Sequence, residues 1–185
     1  MTIVAAGDSM IWGSELQDSP HGGPNGYSKS TFSALLAGDD TYMCTAYPGI
    51  GNRELASRLR ELLTWAKPMG VIVCWTWPGR DNEINADQHI LNVQEFLNYH
   101  KYPYLFTCVD NCIVSDNPKI DWDRWYLFPP GSQANETTSP RGFYQWAVEN
   151  KYNVGPDGHP LEQAHKDAAE LLKEKYNELV KKFVQ

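Results

Sequence analysis

Two short stretches carry the residue types of nucleophilic chemistry. Gly7-Asp8-Ser9 ends the apolar run that opens the chain, Thr2-Ile3-Val4-Ala5-Ala6, and Asp157-Gly158-His159-Pro160 lies near the other end. A serine hydroxyl is a weak nucleophile until a neighbouring imidazole takes its proton, so neither stretch means much without the other. An apolar run that breaks at Gly-Asp-Ser reads as a strand delivering Ser9 to its C-terminal tip. A His-Pro ahead of a long amphipathic helix can return a base to the same edge of a sheet. Together they imply a hydrolase built on Ser9 and His159. Gly7 permits a tight turn, and the Asp8 carboxylate can hold that turn through backbone N–H groups. The plainer reading is that Gly-Asp-Ser merely turns the chain and caps a helix. The G-x-S-x-G elbow of ordinary α/β-hydrolases is absent, because Ile11 stands where its second glycine would be.

The other histidines carry less. His21, His89 and His100 fall on a loop or on exposed helical positions and are assigned no chemistry, and the spacing of His165 from His159 makes it a packing residue. Pro160 sits comfortably in the first turn of a helix, so His159 could also be simple punctuation. Cys44, Cys74 and Cys108 fall in or near apolar runs, where free cysteine behaves as a small hydrophobe. Cys108 and Cys112 lack the second pair that a zinc site requires, and no metal or other cofactor is expected. Seven Trp and ten Tyr are many for this length. Trp12, Trp75 and Trp77 are expected to flank the site, where aromatic faces can stack on sugars or line an acyl pocket.

The elements that must position these residues alternate. Strand-length apolar runs are Thr2–Ala6, Tyr42–Ala46, Gly70–Trp75 and Tyr104–Val109, with a weaker one at Trp125–Phe128. Helical periods cover Ser30–Ala37, which ends at the C-cap Gly38, and Asn52–Ala66. They continue through Asn85–His100, with Asn85 and Gln88 at capping-box spacing, then Gly142–Glu149 and Leu161–Phe183. Continuous apolar strands alternating with helices imply an α/β protein with a parallel sheet covered on both faces. In such a sheet the site lies at the carboxyl ends of the strands. Gly7-Asp8-Ser9, Pro48-Gly49-Ile50-Gly51-Asn52, Thr76-Trp77-Pro78-Gly79-Arg80 and Asp110-Asn111 all fall there. The long loops Gly13–Ser28 and Asp110–Arg124 are expected to form walls or lids.

With 185 residues and 42% hydrophobic content, a single domain over 1–185 can bury a sizeable core. A net charge of −7 argues against a nucleic-acid partner, which would select a basic face. No apolar run reaches membrane-spanning length and no signal-peptide layout opens the chain, so the expectation is a cytoplasmic protein without a membrane partner. A flavodoxin-type nucleotide binder is disfavoured, since no glycine-rich phosphate loop follows the first strand.

Taken in order, these stretches resemble the SGNH, or GDSL-type, hydrolases. Gly7-Asp8-Ser9-Met10-Ile11-Trp12-Gly13 matches the family's first block, Pro48-Gly49-Ile50-Gly51-Asn52 stands where it carries its oxyanion glycine, and Asp157-Gly158-His159-Pro160 resembles its last block. The resemblance implies a three-layer α/β/α, flavodoxin-like fold with a mostly parallel sheet of about five strands. It also implies ester hydrolysis through an acyl-serine intermediate, without a cofactor. Ser9 would be the nucleophile, His159 the base and Asp157 the acid that orients it. Backbone N–H groups at Ser9 and at Gly51 or Asn52 would hold the oxyanion. Two departures stand out. The family writes Asp-x-x-His, whereas here Asp157 precedes His159 by two positions, so a backbone carbonyl or an acid of the Asp110–Asp123 loop is the alternative partner for the ring. The family's Gly-x-Asn-Asp block is replaced by Trp75-Thr76-Trp77-Pro78-Gly79-Arg80-Asp81-Asn82-Glu83, which looks like the version in bacteriophage-type members and points to a phage-encoded origin. Thr76, Arg80 and Asn82 are then the candidates for the missing side-chain donor. The resemblance allows O-acetylated carbohydrate, short-chain ester or thioester substrates, and the aromatic loops favour an O-acetyl glycan. The alternative is a non-catalytic glycan- or protein-binding module on the same fold.

Overall fold

The computed structural model of the chain describes residues 2–19, 26–136 and 138–180. Its centre is a parallel sheet of β1 (Thr2–Ala6), β2 (Thr41–Cys44), β3 (Gly70–Trp75) and β4 (Tyr104–Cys108) in the order β2-β1-β3-β4. The crossovers carry α1 (Ser9–Trp12) and α2 (Phe32–Ala37), then α3 (Asn52–Leu63), then α4 (Asp87–Tyr99). After β4 come α5 (Phe143–Glu149) and α6 (Glu162–Leu179). This is the parallel sheet covered on both faces that the alternation predicts, in the three-layer, flavodoxin-like form that the resemblance implies.

The period-2 alternation of each strand divides the core in two. Ile3, Ala5, Ile72, Cys74 and Leu105 face α2, α5 and α6, where Phe32, Phe143, Ala168 and Leu172 meet them. Val4, Ala6, Val71, Val73 and Phe106 face α3 and α4, where Leu55, Leu59, Ile90 and Val93 pack. Burying a leucine or valine in this way contributes about 1.5–3 kcal/mol each. With both faces covered, β1, β3 and β4 read as unbroken apolar runs, while the edge strand β2 is only half-buried. Trp75 is wholly buried, its ring edge-on to Phe106 at 5.5 Å. It belongs to the α3/α4 core rather than to the rim of the site, which corrects the expectation from sequence.

Four strands form among the described residues, against about five expected. Trp125–Phe128 does run beside β4, but it pairs through a single parallel bridge, Phe106 with Trp125, where the Tyr126 N–H donates to the Phe106 carbonyl at 2.8 Å. The chain then turns, and Phe128 pairs antiparallel with Arg141. Pro129 and Pro130 follow immediately, and proline has no N–H to extend a ladder. The predicted capping box at Asn85 also fails. Helix α4 begins at Asp87, and the Asn85 side chain accepts only the Asp87 N–H, at 3.3 Å. The predicted extension of the last helix to Phe183 and part of the Gly13–Ser28 loop lie outside the described residues. No helix among the described residues is long and apolar enough to cross a membrane.

The strand order reverses at β1 and β3, and the loops leaving these two neighbours open the crevice where such sheets bind ligands. Ser9 leaves β1, and Thr76 to Arg80 leave β3.

Candidate active site

Asp8 and Gly7 shape the turn that presents Ser9. An atom added as Cβ on Gly7 would lie 2.4 Å from Ile11 Cγ1, so only glycine lets α1 pack this closely on the strand end. Asp8 is the N-cap of α1, and its Oδ1 accepts the Met10 N–H at 2.9 Å. Its Oδ2 receives the Thr76 hydroxyl at 2.7 Å and Arg80 Nη1 at 3.0 Å. The carboxylate is wholly buried, so its charge is balanced by three donors from two adjacent loops. Ser9, the first residue of α1, is 4% exposed, and among the described residues its hydroxyl makes no hydrogen bond.

The replaced third block closes around the same point. Asn52 and Thr76 bond reciprocally: Asn52 Nδ2 donates to the Thr76 carbonyl at 2.8 Å, and the Thr76 N–H donates to Asn52 Oδ1 at 2.9 Å. Arg80 Nη1 also donates to the Ile50 carbonyl at 3.1 Å, and its guanidinium stacks on Trp77 at 5.0 Å. The Asn52 amide, the Thr76 hydroxyl and the Arg80 guanidinium therefore tie the loops after β1, β2 and β3 to one another. Gly51, the N-cap of α3, stands beside them, and a Cβ there would lie 2.3 Å from Asp81 Oδ1. Asn82, the remaining candidate donor, ends the 3₁₀ turn Pro78–Asp81 in a left-handed conformation (φ 59°).

His159 reaches this edge through a residue that sequence reasoning missed. The Gly13 and Ser14 N–H groups both donate to the Ser9 carbonyl, at 2.9 and 3.0 Å, and the next residue is Glu15. Its backbone is left-handed (φ 68°), an uncommon state for a non-glycine residue. The Glu15 carboxylate lies in a cradle made by residues 155–159. It accepts the Asp157 N–H at 2.9 Å, the His159 N–H at 3.1 Å and His159 Nδ1 at 2.7 Å. A Cβ on Gly155 would fall 2.4 Å from Glu15 Cδ, and Gly158 turns the loop with φ 87°. Burial pushes the Glu15 carboxyl up, but the hydrogen bonds from Asp157 and His159 outweigh it and hold the group below its ordinary value. Gly158 thus takes the unusual conformation that the shortened Asp-x-His spacing requires. Its effect is to aim backbone N–H groups at Glu15, while the Asp157 side chain is exposed.

The remaining polar candidates are structural. His165 is buried, accepts the Phe32 N–H on Nδ1 at 3.2 Å and packs against Phe143, as its position predicts. His89 is paired with Glu83 at 2.9 Å. Asp81, Glu83 and His89 have ligand atoms within 4.8 Å of one another, which is a donor set a metal could use. Arg53 bonds both carboxylates of this group, with Nη2 2.8 Å from Glu83 and its backbone N–H 3.1 Å from Asp81. Around the site two aromatic pairs stand edge to face: Trp12 with the half-exposed Tyr47 at 5.5 Å, and Trp77 with Tyr144 at 5.9 Å.

No family model matches the chain, and no curated protein matches it. Solved structures do. The psychrotrophic esterase EstA from Pseudoalteromonas sp. superposes with a TM-score of 0.63 at 14% identity, over 99% of this chain and 98% of that one. A protein of the G-D-S-L family from Desulfitobacterium hafniense superposes with a TM-score of 0.58 at 17% identity, over 94% of this chain and 98% of that one. Across nearly its whole length, the chain has the three-layer fold of GDSL-type proteins.

Proposed function

We propose that the chain is a serine ester hydrolase in which Ser9 Oγ attacks an ester carbonyl and His159 takes its proton, then returns it to the leaving alcohol. The single observation that carries this reading is the tie between the two motifs. The loop that hangs from the Ser9 carbonyl ends in Glu15, and Glu15 holds the His159 loop by three hydrogen bonds. Nothing about a helix-start histidine would call for that attachment. The Ser9 hydroxyl is left without a competing partner among the described residues, and nucleophile–base contacts commonly tighten only when substrate binds. We assign the oxyanion to the backbone N–H of Ser9 and of Gly51 or Asn52, with each donor worth about 3–4 kcal/mol. Thr76, Arg80 and the Asn52 side chain then position these donors. Water resolves the acyl-serine.

For the substrate, Tyr47 against Trp12 offers a half-exposed aromatic face beside the Ser9 turn. A sugar ring stacks well on such a face, and this favours an O-acetylated carbohydrate over a plain alkyl ester. The related Pseudoalteromonas esterase was captured inhibited by monoethylphosphonate, so a phosphonate is the natural probe. A fluorophosphonate should label Ser9, and Ser9→Ala should abolish both labelling and hydrolysis of p-nitrophenyl acetate, the latter by roughly 10³-fold or more. An unlabelled protein with no esterase activity would instead leave a binding module on the same fold.

A further inference from the structure

We propose that Glu15, and not Asp157, is the positioning residue that orients His159, completing a Ser9–His159–Glu15 arrangement in which the acid comes from the loop that follows the nucleophile. The inference rests on the reading of Ser9 and His159 given above. Its own observations are independent of that reading. Glu15 Oε2 is 2.7 Å from His159 Nδ1, and a carboxylate can only accept, so the Nδ1 proton lies between them. That fixes the tautomer: Nε2 keeps its lone pair and is the atom free to take the Ser9 proton. When the proton arrives on Nε2, the imidazolium faces an anion that stays ionised, and no second transfer to Glu15 is needed.

Three features show that the loops are built around this carboxylate. Glu15 holds a left-handed backbone that costs about 1–2 kcal/mol for a residue with a Cβ. Position 155 is glycine where any side chain would strike the carboxylate, with a Cβ only 2.4 Å from Cδ. Gly158, also left-handed, lets the N–H groups of residues 157 and 159 converge on the two oxygens of Glu15. The short Asp157-Gly158-His159 spacing follows from this arrangement. Asp157 supplies an N–H to the acid, so its side chain has no need of the reach that Asp-x-x-His would give it.

The experiment combines ¹⁵N NMR of the histidine-labelled full chain with the kinetics of ester hydrolysis, on the wild type, Glu15→Gln, Glu15→Asp and Asp157→Asn. The wild type should show neutral His159 as the Nδ1–H tautomer. Glu15→Gln should remove that preference and populate the Nε2–H tautomer. It should reduce kcat roughly 10³-fold, because a Gln amide can present an N–H to Nδ1 and force the wrong tautomer. Glu15→Asp, which keeps the charge one methylene further back, should recover part of that loss, and Asp157→Asn should stay within about threefold of wild type. An Nε2–H tautomer in the wild type would overturn the proposal, whether or not any variant folds. So would a tautomer that changes in Asp157→Asn and not in Glu15→Gln. Failure of the hydrolase reading looks different: Ser9 stays unlabelled, while the tautomer still decides what holds His159.

Discussion

Asp8 Oδ2 lies 3.0 Å from Arg80 Nη1, with the carboxylate wholly buried and the arginine side chain 26% exposed. The two residues sit on neighbouring loops, one in the turn before Ser9 and the other in the 3₁₀ turn Pro78–Asp81 after β3. Arg80 also grips the Ile50 carbonyl, one residue before the Gly51 N-cap. One guanidinium therefore joins the Asp8 turn to the loop before Gly51, beside the Asn52–Thr76 and Thr76–Asp8 bonds. A buried carboxylate needs such a partner, since an uncompensated charge in the interior costs several kcal/mol.

Arg80→Ala should accordingly destabilise the protein. Loss of one partner from a buried pair costs about 3–5 kcal/mol, and the partial exposure of Arg80 brings the expectation to about 2–4 kcal/mol. Arg80→Lys should recover little, because an ammonium cannot reproduce the planar fork that reaches Asp8 and Ile50 while stacking on Trp77. Urea unfolding measures both. A loss below about 0.5 kcal/mol for Arg80→Ala would mean that water or another group solvates Asp8.

The Gly51 position offers a separate test. Its φ of −92° suits any residue, so Gly51→Ala carries no backbone strain. The new methyl would, however, fall 2.3 Å from Asp81 Oδ1. Asp81 must swing away and release the Arg53 N–H, or the N-cap must shift and carry its donor with it. We expect kcat to fall by about tenfold, less than the roughly 10²–10³ for complete loss of an oxyanion donor. Adding Asp81→Ala removes the obstruction, and the double variant should recover most of the rate. Strict additivity of the two changes would refute the steric account.

The sequence made some of this site legible and hid the rest for definite reasons. Ser9 and His159 stand out because each lies in a short local pattern, Gly-Asp-Ser after an apolar run and His-Pro before an amphipathic helix. The four strands are legible because each is a short, largely apolar run, and β1, β3 and β4, covered on both faces, are apolar throughout, whereas their order in the sheet comes only from the structure. Glu15 was hidden, since its meaning depends on a partner 144 residues away and on a left-handed backbone that its own residue type does not favour. The available hint was positional: an acid held between Gly13 and the buried Leu16, just past the nucleophile turn. Trp75 was misread for a related reason. Strand alternation turns its ring into the α3/α4 core, and nearness in sequence to Thr76 says nothing about which face a side chain takes.

His165 should make stability fall in mild acid. It is 1% exposed, lies against Phe32 and Phe143, and accepts the Phe32 N–H on Nδ1, a bond that needs the neutral ring. Burial pushes its pKa down to about 3 from an ordinary 6.5. The folded value lies below the unfolded one, so in acid the unfolded chain binds a proton that the folded one refuses. The contribution is therefore complete above about pH 6.5 and is lost as pH falls from there towards 3, at about 1.4 kcal/mol per pH unit. Between pH 7 and 5 that amounts to about 2 kcal/mol, in a range where ordinary carboxylates remain largely ionised. His165→Leu loses the Phe32 bond and starts less stable, so the informative quantity is the slope. Urea unfolding at pH 7, 6 and 5 should give a profile flatter by about 2 kcal/mol in the variant than in the wild type. Parallel profiles would show that His165 already accepts its proton within the folded protein.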